Sequence, residues 1–232
     1  MLKKLTPILL STCLLSGCIL DPVKPTVIKS YEIKPNRSLD TNATFTPKFD
    51  YALILAPMIS TSPYNSVSMY YSEKDYEISA YSFSEWATSP AFMINNSVLF
   101  TLSSKGPFKA TADAIVITYA QYRLNLTLNS IVLNLYTKEP QVALNVSAQL
   151  TDIITGKLVS KHNFDITEPS KVSPEGFVTA ANKATDKLSE EVYQWLNKQN
   201  LPKPATKKAK NTNNTISPSI PLPKAPIASS GS

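Results

Sequence analysis

The sequence predicts an α+β fold: a single domain with one mainly antiparallel, twisted sheet, two helices packed on it, and a disordered C-terminal tail. Three observations lead there. Tyr122, Leu124, Leu126 and Leu128 alternate with Arg123, Asn125 and Thr127, the pattern of a half-buried antiparallel strand. Phe177, Ala181, Ala184, Leu188, Val192 and Trp195 step by four or three residues and so form one stripe on a helix. The 232 residues are 43% hydrophobic with only two cysteines, which suits a fold held by its core and excludes a disulfide scaffold.

Taken from the N-terminus, Met1 to Lys4 form a short positive segment and Leu5 to Leu15 a short apolar one. That is the layout of an export signal, too short to span a bilayer as a helix. Leu15, Ser16, Gly17 and Cys18 follow, a run similar to the bacterial lipobox. The resemblance implies cleavage before Cys18, acylation of its thiol and a mature chain free of other cysteines, since Cys13 leaves with the signal. Residues 18–25, with Pro22 and Pro25, read as a tether. Ile19 stands where lipoproteins kept in the inner membrane commonly carry Asp, which favours the outer membrane.

The domain is expected over residues 26–200. Thr26 to Ile33 reads as a strand, 34–48 as loop and Tyr51 to Met58 as a central strand. Val67 to Tyr71 and Tyr76 to Ser82 read as a hairpin joined by Ser72–Asp75. Ser89-Pro90 is a helix start with Ala91, Ile94, Val98 and Leu102 on one face, and Gly106-Pro107 stops it. Ala114 to Tyr119, Tyr122 to Leu128, Ile131 to Tyr136, Val142 to Leu150 and Lys157 to Ile166 read as successive strands. Asp152 to Gly156 is a hairpin connection in which Gly156 is free to take positive φ. The second helix begins near Ser173-Pro174-Glu175 and ends near Gln199.

The formal net charge is +6, but it sits at the ends. Lys3 and Lys4 open the chain, and Lys203, Lys207, Lys208, Lys210 and Lys224 lie in its last stretch, while acids and bases nearly balance between them. Residues 201–232 carry no acid and no aromatic side chain. This composition predicts disorder and offers no stacking platform for nucleic acid.

Catalytic patterns are missing from the sequence. His162, the only histidine, has no nucleophile motif to serve and reads as an exposed strand residue. Glu85 beside Trp86 has no evident second carboxylate for glycoside hydrolysis. No metal-ligand spacing and no phosphate-cradling glycine loop is present, so no enzyme, metal or cofactor is expected. The aromatic set Tyr70, Tyr71, Tyr76, Tyr81, Phe83, Trp86 and Phe92 reads as core or edge packing, with a docking surface centred on Tyr81, Trp86 and Pro90 as the alternative.

Tyr31-x-Ile33, Ile54-Leu55-Ala56-Pro57, Tyr70-Tyr71, Glu85-Trp86-Ala87-x-x-Pro90, Gly106-Pro107-Phe108, Tyr122-Arg123-Leu124, Asp152-x-x-Thr155-Gly156, and Ala180-Ala181-Asn182-x-Ala184 with Trp195-Leu196 occur in this order. In that order the chain resembles the ABC-type transport auxiliary lipoproteins over residues 18–200. The resemblance implies a periplasmic, non-catalytic subunit of an MCE-type ABC system that moves lipids between the two membranes. Its partners would be an MCE-domain protein or ABC permease complex, and the membrane through acylated Cys18. A homo-oligomer is compatible with it. The competing expectation is an envelope lipoprotein that binds peptidoglycan or a cell-wall synthase through the basic tail.

Overall fold

The computed structural model describes residues 26–36, 46–116 and 119–202. Eleven elements follow in order: β1 (Lys29–Tyr31), β2 (Phe49–Leu55), β3 (Ile59–Ser60), β4 (Ser68–Ser72), β5 (Ser79–Trp86), α1 (Pro90–Lys105), β6 (Phe108–Asp113), β7 (Tyr122–Asn134), β8 (Gln141–Asp152), β9 (Leu158–Pro169) and α2 (Pro174–Asn197). The α+β expectation of one sheet and two helices holds. All nine strands belong to a single sheet. Its two longest pairings, β7 with β8 and β8 with β9, are antiparallel, as is the β4–β5 hairpin, whereas the short pairings of β1 with β5, of β2 with β6, and of β2, β3 and β4 with β7 are parallel.

β7 organises the sheet. Along one edge it pairs with β8 over its whole length. Along the other it meets β2 at Tyr122–Leu124, β3 at Thr127–Leu128 and β4 at Leu133–Asn134. Between these pieces the ladder continues through single bonds, from Ala56 N–H to the Leu124 carbonyl at 2.9 Å and from Thr61 N–H to the Leu128 carbonyl at 3.0 Å. Pro57, which has no N–H to donate, falls in the gap between β2 and β3.

The two strands expected over 122–136 are this one strand. Leu128 lies opposite Val146, yet Ser130 lies opposite Asn145, so Asn129 is an extra, bulged residue. A bulge shifts the side-chain alternation by one. Tyr122, Leu124, Leu126 and Leu128 face the core before it, and Ile131 and Leu133 after it. The Asn129 amide donates to Asn145 Oδ1 at 2.5 Å and to Ser147 Oγ at 2.6 Å, which holds the bulge to β8.

A second correction concerns the strand expected at Ala114–Tyr119. The strand is β6, ending at Asp113. The Asp113 carboxylate accepts the N–H groups of both Ile115 and Val116 at 3.0 Å, which turns the chain out of the sheet. The apolar run that follows is exposed, with Ile115 at 90% and Val116 at 73%. The N-terminal strand is also shorter than expected, only Lys29–Tyr31. The hairpin turn at 152–156 holds as expected: Asp152 accepts from Ile154 and Thr155, and Gly156 has φ +68°.

α1 spans the expected residues, although Ser89 makes no side-chain cap bond. α2 is capped by Ser173 Oγ, which accepts the Gly176 N–H at 3.0 Å. Its buried stripe includes Phe177, Ala181, Ala184, Leu188 and Val192 and ends on Leu196, while Trp195 is half-buried. The helices pack against each other and over the apolar face of the sheet in one core that includes Leu124, Leu144, Phe164, Ile94, Val98 and Phe177.

The first turn of α2 runs close to the chain that leaves β9. A Cβ on Gly176 would stand 2.5 Å from the Lys171 carbonyl oxygen. Gly176→Ala is therefore expected to destabilise the domain by about 1–3 kcal/mol, the usual cost of overpacking. A urea unfolding midpoint equal to that of the wild type would show that this contact relaxes freely.

Candidate functional site

The residues expected to carry the lipid anchor, Leu15, Ser16, Gly17 and Cys18, lie outside the described residues, as do the tether 18–25 and residues 203–232 of the tail. The structure shows how the chain that follows this segment is built into the domain. Lys29 Nζ lies 3.2 Å from Glu175 Oε1, and the Tyr31 hydroxyl donates to the same oxygen at 2.7 Å. Three residues on, Lys34 N–H donates to Asn182 Oδ1 at 2.9 Å, and Asn182 Nδ2 donates to the Glu32 carbonyl at 3.2 Å. The side-chain amide of Asn182 thus acts on this segment as a neighbouring strand would. Ile33 is buried beneath it, with its N–H directed at Met93 sulfur at 3.3 Å.

Glu175 also sits in the first turn of α2, where the helix dipole favours negative charge. The Tyr31 hydroxyl, then a bond to its own backbone N–H and the Lys29 ammonium, hold its carboxyl down to about 2 from an ordinary 4.5. The Tyr31 hydroxyl is shifted upward, first because it donates to Glu175.

The proposed docking centre does not form a surface. Trp86 is 1% exposed, its ring edge-on to Phe177 at 5.3 Å between centroids, and Pro90 is buried at the start of α1. Tyr81 is half-buried against Tyr71 at 4.8 Å. Trp86 belongs to the core because β5 ends beneath the first turn of α2, and burying an indole there contributes more than leaving it wet. The rest of the aromatic set disperses: Tyr70 stands edge-on to Tyr64, while Tyr76, Phe83 and Phe92 are exposed.

His162 lies exposed on β9, its ring against Phe164 at 4.6 Å and stacked near Trp195 at 6.1 Å. Glu85 accepts a bond from Ser30 Oγ at 3.1 Å. The outer face of β7–β9 carries a polar ladder. Ser147 Oγ donates to Asn163 Oδ1 at 3.0 Å, and both Asn145 and Asn163 donate to the Asp165 carboxylate. Among the described residues no group of three His, Cys, Asp or Glu side chains is placed to hold a metal, and no helix is long and apolar enough to cross a membrane.

Sequence reasoning named the Ala180-Ala181-Asn182 run but missed what Asn182 does. Asparagine is a weak helix former, and its place in the interior of α2, between Ala181 and Ala184 of the buried stripe, is the signal that it has a partner outside the helix. The pairing of Lys29 and Tyr31 with Glu175 spans about the whole domain in sequence and leaves no local pattern.

Residues 52–193 match the family model described as ABC-type transport auxiliary lipoprotein component. The crystal structure of a Xanthomonas campestris protein, described under family model DUF330, superposes with a TM-score of 0.59 at 17% identity, covering 72% of this chain and 92% of that one. A crystal structure described as an uncharacterized protein gives a TM-score of 0.58 at 14% identity, covering 73% of this chain and 99% of the other. At these identities the likeness is one of fold. No curated protein is similar to the chain in sequence.

Two substitutions separate packing from recognition here. Trp86→Ala is expected to cost about 3–5 kcal/mol as a truncated core aromatic. Its indole N–H has no acceptor in the structure, so Trp86→Phe removes no hydrogen bond and should cost far less. Equal losses on unfolding would contradict this placement. The Glu175 carboxyl has a pH signature: its folded value lies below its ordinary one, so its stabilisation is present above pH about 4.5 and is lost as pH falls through about 2. The stability gap between wild type and Glu175→Gln should therefore narrow over that window in denaturant titrations. A gap independent of pH there would rule out the pairing in solution.

Proposed function

The chain belongs to the ABC-type transport auxiliary lipoprotein family, and from that membership we propose that it is a non-catalytic, periplasmic component of an MCE-type ABC system moving lipids between the inner and outer membranes. The match over residues 52–193 carries this reading, since it includes all of α1, α2 except its last residues, and every strand except β1 and the start of β2. As a lipoprotein of this family the protein is anchored in the cell envelope. Ile19, next to the lipidated cysteine, supports the outer membrane as the site of anchoring.

The build of the domain fits a tethered adaptor. Its outer sheet face is lined by hydrogen-bonded polar side chains rather than by an acid–base pair. β1 and the residues after it are locked to α2 by Glu175 and Asn182, so a partner held by the domain is mechanically joined to the anchor. The partner in this reading is the MCE-domain protein or the permease complex, and no nucleic acid or cofactor is involved.

Affinity purification of the full-length protein from detergent-solubilised membranes tests the proposal. An MCE-domain protein is expected to co-purify, and deleting residues 203–232 should leave the association intact. If the association is absent while lipid transport is normal in a deletion strain, the transport role falls. If function is lost with the tail alone, the peptidoglycan-binding reading replaces it.

A further inference from the structure

We propose that one rim of the sheet, formed by the β4–β5 turn (73–78), the β7–β8 turn (135–140) and the β9–α2 connection (170–173), rests on the headgroup region of the bilayer that holds the anchor. The proposal depends on the lipoprotein reading of Cys18.

Strand direction carries it first. β1 runs parallel to β5, from Lys29 opposite Ser84 to Tyr31 opposite Trp86. β5 begins at Ser79, opposite Tyr71 near the end of β4. The chain therefore leaves Lys29, backward toward the anchor, in the direction of the β4–β5 turn. Tyr71 lies beside Leu133 of β7, and Pro169 lies opposite Gln141, so all three connections share that end of the sheet. They also touch: Leu135 N–H donates to the Ser72 carbonyl at 2.7 Å, and Ser170 N–H donates to the Pro140 carbonyl at 2.8 Å.

Reach is the second observation. The eleven residues from Cys18 to Ile28 span at most about 38 Å when fully extended. The rise from Ser84 to Ser79 takes up about 16 Å of that. The acylated cysteine can thus reach no more than about 22 Å beyond the rim.

The third observation is the chemistry of the rim. Tyr76, Ile78, Tyr136 and Val172 are all exposed there, and Val27 and Ile28 are exposed on the approach to it. Tyr76 is wholly exposed and held at φ +64°, a costly conformation for a bulky residue, and nothing inside the domain covers its ring. Tyrosine is the side chain enriched at membrane–water interfaces. Lys74, Lys138 and Lys171 stand among these residues, but Glu73, Asp75, Glu77 and Glu139 outnumber them, so no net positive charge draws the rim to lipid. The contact is therefore apolar and aromatic in origin, and salt weakens it little.

Processing leaves Cys18 acylated and the domain without a thiol, so Tyr76→Cys, Val172→Cys and, at the opposite end of the sheet, Ile154→Cys each supply one labelling site. Each lipidated full-length variant is labelled with an environment-sensitive fluorophore and reconstituted into phosphatidylethanolamine–phosphatidylglycerol vesicles containing a headgroup-spin-labelled lipid. Fluorescence at 76 and 172 is expected to be quenched several-fold more than at 154. If the protein floats with the vesicles and 76 and 172 are quenched no more than 154, the rim does not rest on lipid, and a protein partner is its occupant. If the protein does not float with the vesicles, the anchor reading itself fails and takes this proposal with it.

Discussion

A thirteen-residue strand in the middle of a sheet must satisfy a row of N–H and C=O groups along both of its edges, and β7 (Tyr122–Asn134) meets that demand in two different ways. β8 covers one edge without interruption. The other edge is shared among three pieces of the N-terminal chain, β2, β3 and β4, laid end to end and all parallel to it. This arrangement fixes the placement of everything else. β6 and α1 follow from where β2 lies, and β5 and β1 from where β4 ends. α2 follows from the antiparallel run of β8 and β9, which returns the chain to the end of the sheet where the tether attaches.

Much of this was legible in the residues. α1 began at Ser89-Pro90 and stopped at Gly106-Pro107 as expected, and the α2 stripe identified five of its buried side chains. The β8 and β9 strands and the turn at Asp152–Gly156 were also readable. These features are local: a cap, a proline, a periodicity, a glycine at positive φ. What escaped depends on distant partners. The bulge at Asn129 shifts the alternation in β7 by one residue, so a single strand reads as two. The apolar 114–119 run reads as a strand, but Asp113 turns Ile115 and Val116 away from the sheet where β2, the partner of β6, ends at Leu55.

The site was less legible than the fold, for the same reason. Trp86 stood out in the sequence as a large aromatic beside an acid, and nothing local separates an indole that seats a partner from one that seats Phe177. Burial decides it. Glu175 and Asn182 looked like an ordinary first-turn acid and an ordinary polar helix residue. Their importance comes from Lys29, Tyr31 and Lys34, more than 140 positions away, and no spacing rule connects those segments.

The divided edge of β7 also sets an order of assembly. An exported chain emerges N-terminus first, so β1 to β4 emerge before the strand that three of them pair with. Contacts at such sequence separation close slowly, and unpaired strand edges invite association in the interval. β7, β8 and β9, by contrast, are joined by short connections and zip locally once released. The natural nucleus is thus the C-terminal half. The segment around β1 is the last to dock, secured when α2 brings Glu175 and Asn182 against it. A chain released N-terminus first therefore carries β1 to β4 unpaired until the strand that organises them follows.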